Sequence, residues 1–158
     1  MKKSSEEKHM KVVYVAGPFR AASTFVPGHQ DMFAVQQNVM RAMELSLEVW
    51  RLGAVAVCPH SNTMFFTGSA EDKVWLDGDL ELLARCDAVL MTPDWAKSSG
   101  ARAEEAFAKK KGVPVFYKLD SVRDWLAGKA AWTECRVCNA QIATAPNAIN
   151  VCGRCLVA

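Results

Sequence analysis

SSGARAEEAFAKKKGVPVFY, residues 98–117, reads as a helix handed straight into a strand. Ser98 or Ser99 supplies the capping hydroxyl, the helix runs to about Lys111, Gly112 stops it, and Val113–Tyr117 follows as a short apolar run. Working upstream, the same alternation repeats. KVVYVA, Lys11–Ala16, is β-branched and apolar throughout, which suits a strand buried on both faces, and it stops at Gly17-Pro18. A loop of small residues leads to about Gln30. From Asp31 to Leu52 the apolar residues Phe33, Val35, Val39, Met43, Leu47 and Trp50 recur at helical spacing, with Gly53 as C-cap. Ala54–Cys58 is a second strand halted by Pro59, and His60 to about Ala70 reads as a polar loop. Asp72–Arg85 is a helix carrying Val74, Trp75, Leu76, Leu80, Leu82 and Leu83; Asp87–Thr92 is the third strand and Pro93–Ser99 a loop. Downstream, Ser121–Ala127 reads as a short last helix.

Strands alternating with helices at this pitch predict an α/β domain: a doubly wound, flavodoxin-like parallel sheet of four or five strands with helices on both faces. In such sheets ligands bind beyond the carboxyl ends of the strands. That rule marks Gly17–Arg20, Pro59–Asn62, Thr92–Ser99 and whatever follows Tyr117. The chain divides into a disordered tail over residues 1–10, the α/β domain over 11–128, and a small C-terminal zinc ribbon over 132–158.

Composition narrows the partners. Of 158 residues, 51% are hydrophobic and 23% charged, and a net charge of +2 gives no electrostatic case for nucleic acid. No apolar run approaches the ~20 residues of a membrane helix, and the polar N-terminus lacks the apolar core of a signal peptide, so a cytoplasmic location is the expectation. Four of the six cysteines form two CxxC pairs, Cys135/Cys138 and Cys152/Cys155, separated by 13 residues. Two such knuckles brought together give tetrahedral thiolate coordination, for which zinc is the expected structural ion; a redox dithiol would not call for two pairs. Cys58 and Cys86 lie among apolar residues and read as buried thiols.

The polar residues gather where the fold rule places a ligand: Gly17-Pro18-Phe19-Arg20, then Pro59-His60-Ser61-Asn62, then Ser98-Ser99-Gly100-Ala101 opening a helix that carries Glu104 and Glu105. Amide groups at that helix start can hold a phosphate or a sugar oxygen, and a carboxylate about one turn further on can reach the same ligand. The stretches VYVAGPFR (Val13–Arg20), CPH (Cys58–His60), GDLELLARCDAVL (Gly78–Leu90) and SSGARAEEAFAKKKGVPV (Ser98–Val115) resemble the nucleoside 2-deoxyribosyltransferase superfamily. That superfamily includes the 2′-deoxynucleoside 5′-monophosphate N-glycosidases and phage-encoded relatives. The resemblance implies an enzyme that breaks the N-glycosidic bond of a nucleoside or nucleotide. Glu104 is then the nucleophile that forms a glycosyl-enzyme ester, and Asp79 the second carboxylate, which holds the sugar or protonates the leaving base. Ser98 and the amides near Gly100 bind a 5′-phosphate or hydroxyl, Arg20 neutralises that phosphate, Tyr14, Gly17 and Pro18 line the sugar site, and His60 lies at its rim. The resemblance also implies a homodimer or higher homo-oligomer and no cofactor for catalysis.

Two features depart from that pattern. Pro-Phe-Arg-Ala-Ala stands where the phosphate-specific members carry a glycine-rich, arginine-containing loop, and no C-terminal residue matches the group that some relatives insert from a neighbouring subunit. Nucleoside or nucleotide, hydrolysis or transfer, therefore stay open. So do a non-catalytic nucleotide-binding module, cleavage of NAD at its nicotinamide bond, and a ribbon-based nucleic-acid adaptor, which the balanced charge disfavours. Without the pattern, Glu104 reads as ordinary dipole-complementing charge, Glu105 as surface, Asp87 as a turn residue, and Trp75 and Trp95 as core or rim.

Overall fold

The structure, a computed structural model, describes residues 9–21, 26–66 and 68–129 in full, and the backbone of 131–134 and 141–144. Strand β1 (Val12–Ala16) enters helix α1 (Met32–Arg51), then β2 (Val55–Val57), short helix α2 (Pro59–Thr63), α3 (Asp72–Ala84) and β3 (Ala88–Met91). A 3₁₀ turn (Trp95–Lys97), α4 (Ser99–Lys111), β4 (Val115–Phe116) and α5 (Leu119–Leu126) follow. Strands β5 (Ala131–Glu134) and β6 (Gln141–Thr144) pair antiparallel in a separate two-stranded sheet.

The four strands of the main sheet are all parallel in the order β2-β1-β3-β4. Tyr14 sits between Val57 and Val89, so β1 is covered by a neighbour on each side. Its period of two divides the interior. Val13 and Val15 join Ala88, Leu90 and Phe116 beneath α1 and α5, through Ala42, Val49 and Val122. Tyr14 and Ala16 join Val89 and Met91 on the opposite face beneath α3 and α4, through Leu83, Ala101 and Ala108. A strand buried on both faces has no polar side to show, which is why KVVYVA lacks alternation.

The helix boundaries follow local chemistry. Asp31 caps α1, its carboxylate accepting from the amides of Phe33 and Ala34 at 3.1 Å each. Ser98 caps α4 through its hydroxyl at 3.2 Å from the Ala101 amide. Gly112 closes α4 in the left-handed conformation at φ 74°, where a Cβ would be strained. Asp87 anchors the start of β1, accepting from the Val12 amide at 2.8 Å and from Lys11 at 2.7 Å.

The sequence reading is corrected in two places. The segment from His60 is not loop throughout: Pro59 at the first helical position starts the one-turn helix α2. The last helix begins two residues earlier than expected, at Leu119. Most apolar residues of α1 and α3 beyond the core stripe face solvent, among them Phe33, Met43, Leu47, Trp50, Val74, Leu76 and Leu82. The four CxxC cysteines lie outside the described residues, as do residues 1–8. Cys58 and Cys86 are buried free thiols, and no described helix is long and apolar enough to cross a membrane.

Candidate active site

At the carboxyl ends of β1 and β3 the chain runs in opposite directions across the sheet, and a cleft of about 630 Å³ opens there. Its walls come from five places. The turn after β1 gives Gly17, Phe19 and Arg20, the start of α1 gives Met32 and Val35, and α2 gives Pro59, His60 and Thr63. From α3 come Asp72, Trp75, Leu76 and Asp79, and from the end of the 3₁₀ turn and the start of α4 Lys97, Ser98, Ser99, Gly100, Ala101 and Glu104. The segment after Tyr117, marked by the strand-end rule, does not reach the cleft. Strand β4 lies at the sheet edge beyond β3, and Tyr117 instead donates to Glu105 at 2.6 Å. Glu105 is accordingly not the bare surface residue expected: its half-buried carboxylate also pairs with Lys109 at 2.5 Å.

Glu104 lines the cleft and is the most buried of its carboxyls. Tyr14, fully buried on β1, donates its hydroxyl to Glu104 Oε1 at 2.5 Å. Tyr14 is thus not on the cleft wall; it stands behind the carboxylate and fixes its orientation. Burial pushes the Glu104 carboxyl up to about 7; the Tyr14 hydrogen bond pulls it down and the Asp79 charge pushes it further up. Burial likewise raises Asp79 to about 6. The Tyr14 phenol is driven far above its ordinary value by burial and then by the Glu104 and Asp79 charges, so it stays a donor. Two carboxyls raised by burial in one cleft mark it as a candidate active site.

The turn Gly17–Arg20 is gripped by two buried side chains: His60, expected at the rim of the sugar site, and Asn38, which the sequence reading did not single out. His60 Nε2 lies 3.1 Å from the Gly17 carbonyl and 3.0 Å from the Pro18 carbonyl. Asn38 Nδ2, on α1, donates to the next two carbonyls, Phe19 at 3.1 Å and Arg20 at 2.9 Å. Carbonyls only accept, so His60 carries its proton on Nε2. Burial lowers the His60 pKa against those same carbonyl bonds, so the ring is neutral near pH 7. His60 is therefore a buried clamp rather than a rim residue, and Pro18 serves it through the backbone without lining the cleft. Asn38 is held in turn by Arg41 at 2.5 Å, and Arg41 lies 3.8 Å from Asp94. Nothing in the sequence marks this pairing, because the two side chains meet the turn only in the folded chain.

Gly17 is required by proximity. A Cβ there would lie 2.4 Å from Thr92 Oγ1 and 2.7 Å from Thr92 Cγ2, so the turns after β1 and β3 touch only because residue 17 has no side chain. Arg20 pairs with Asp72 across the cleft, joining the β1 turn to the start of α3. At α4 the first intrahelical bond runs from the Arg102 amide to the Ser98 carbonyl at 3.1 Å, leaving the amides of Ser99 and Gly100 at the cleft-facing helix start. A Cβ at Gly100 would meet nothing of the protein closer than Ser98 Oγ at 3.7 Å. Trp75 lines the cleft and packs against Phe66, ring centroids 5.8 Å apart, whereas Trp95 packs on Tyr117 away from it.

Of the residues singled out in the sequence, Gly17, Arg20, His60, Asp79, Ser98, Gly100 and Glu104 share this one cleft. Among the described residues no group of His, Cys, Asp and Glu side chains is placed to hold a metal. The profile of a family described as "Domain of unknown function (DUF4406)" matches residues 11–117, from the start of β1 to the end of β4. None of the curated proteins compared matches the chain.

Proposed function

This chain belongs to the DUF4406 family over residues 11–117, the span that builds the cleft, and we propose that it is an enzyme that cleaves the N-glycosidic bond of a nucleoside or nucleoside 5′-monophosphate, with Glu104 as nucleophile. The observation that carries this reading is the Glu104 carboxylate, oriented by Tyr14 at 2.5 Å, in a cleft shared with Asp79.

The chemistry is that of a retaining glycosidase with a nucleobase as leaving group. Ionised Glu104 attacks the anomeric carbon as the carbon–nitrogen bond breaks. The electron pair of that bond leaves with the base nitrogen, which takes a proton from water, while Asp79, ionised once Glu104 is, holds the sugar. The ester left on Glu104 is opened by water, giving hydrolysis, or by the nitrogen of a second base, giving transfer. Tyr14 occupies one Glu104 oxygen and leaves the other for attack. Lys97 and the Ser99 and Gly100 amides could hold a 5′-phosphate or hydroxyl, and Arg20 could do so on exchanging its Asp72 partner.

Release of free base from a panel of nucleosides, 5′-monophosphates and NAD tests the reading. Nucleotide binding without base release would instead identify a binding module.

The two pKa values give a pH prediction. Activity should rise as Glu104 ionises through about pH 7. The Tyr14 bond favours the ionised form, so Tyr14→Phe should move this acid limb to higher pH. The loss should be about tenfold greater at pH 6 than at pH 8 for each unit of movement, read as kcat/KM across pH. A uniform loss at every pH would contradict the proposed role of Tyr14.

The proposed zinc site uses Cys135, Cys138, Cys152 and Cys155 as a closed structural centre. The first pair falls in the segment 135–140 that joins antiparallel strands β5 and β6, the connection in which a metal knuckle would serve. Metal analysis should find about one zinc per chain, lost in Cys152→Ser, with base release unaffected by a chelator. A zinc-free purified protein would contradict it.

A further inference from the structure

Helix α1 has a second apolar face that the fold does not use. Val35, Val39, Ala42 and Val49 point into the core, and Arg41, Glu44, Glu48 and Arg51 form a charged flank. Between them, at ~100° per residue, runs a stripe of Phe33, Gln36, Met40, Met43, Leu47 and Trp50. The exposures of its apolar members are 70% for Phe33, 53% for Met40, 40% for Met43, 48% for Leu47 and 50% for Trp50. Large side chains carry about 150–250 Å² each, so the stripe leaves on the order of 500 Å² of apolar surface on one helix. That is the upper end of the ~300–600 Å² largest patch of a typical monomer. With its charged rim it approaches the ~800 Å² per partner of a standard interface.

The spacing identifies the occupant. Along α1 the intervals are three, four, three, four and three residues, the alternation of a coiled-coil seam. They read the same from either end. A two-fold axis crossing α1 between residues 41 and 42 therefore sets Phe33 of one copy against Trp50 of the other, Met40 against Met43, and Gln36 against Leu47. A row of positions that maps onto itself under a two-fold rotation can pair with its own copy, as an isologous dimer requires. We propose that a second copy of this chain packs antiparallel on this stripe, α1 against α1, to form the homodimer. The proposal is independent of the chemistry in the cleft.

Sedimentation of the full chain at micromolar concentration should give twice the 17.4 kDa chain mass. Met43→Glu places a carboxylate on each side of the axis and should raise the dimer dissociation constant by about a hundredfold or more. Because Met43 faces solvent in the single chain, the variant should keep the wild-type circular dichroism spectrum. Mixing Phe33→Cys protein with Trp50→Cys protein should yield a disulfide-linked pair under mild oxidation, and neither alone should link through its new thiol. A monomeric wild-type chain, a Met43→Glu dimer of undiminished affinity, or Phe33→Cys protein that links to itself through residue 33 would each overturn the proposal.

Discussion

Glu104→Gln should lower kcat/KM for base release by about 10⁴-fold or more, while nucleotide affinity stays within a few-fold. Glutamine keeps the length of the side chain and an oxygen to accept from Tyr14, so the cleft survives and only the nucleophile is removed. The stability of the variant supplies a second readout. The folded-state pKa of Glu104 is about 7 against an ordinary 4.5. Between those values the folded chain binds more protons than the unfolded one, so the wild type loses stability as pH rises through that window. The glutamine variant has no such ionisation. Relative to wild type its Tm should therefore be higher at pH 8 than at pH 5, by a few degrees. Equal activity in variant and wild type would remove Glu104 from the reaction, and a pH-independent Tm difference would contradict the buried ionisation.

The second large effect is at Gly17. A Cβ placed there would overlap Thr92 Oγ1 at 2.4 Å, and neither side has room to retreat. Thr92 is buried, with its amide on the Ala16 carbonyl at 2.8 Å and its hydroxyl on Asp94 at 3.0 Å. The Gly17 carbonyl is held by His60. Gly17→Ala should thus destabilise the fold by about 1–3 kcal/mol and, by shifting the turn that carries Arg20, raise KM. Thr92→Ala removes Oγ1 and Cγ2 and leaves Cβ at 3.1 Å, so adding it to Gly17→Ala should recover part of the Tm although it costs stability alone. Additive losses in thermal denaturation would contradict the contact.

The contrast between what was and was not legible in the sequence is physical. Strand β1 and helix α4 could be read because their signals are local: an unbroken β-branched run, a capping serine, and a glycine that takes the left-handed conformation. Glu104 and Arg20 could be placed at one end of the sheet because right-handed crossovers restrict where strand ends lie, whereas Asp79, inside α3, was marked only by the family resemblance. The clamp of His60 and Asn38 on four successive carbonyls could not, since it joins residues about 20 and 40 positions from the turn and is set by tertiary packing. Glu105 misled for a related reason. Its helical angle points away from the cleft, yet a neighbouring strand end brings Tyr117 to meet it. The apolar stripe of α1 was visible as spacing, but a count of apolar positions does not separate a core face from an interface.

A glycosyl-enzyme ester on one carboxylate is the central claim, and it has a direct measurement. After incubation with a slow 2-fluoro nucleoside or nucleotide analogue, peptide mass spectrometry should find a single sugar adduct on Glu104, absent from the Glu104→Gln variant. An adduct on Asp79 or any other residue, or steady base release with no adduct formed, would contradict the account.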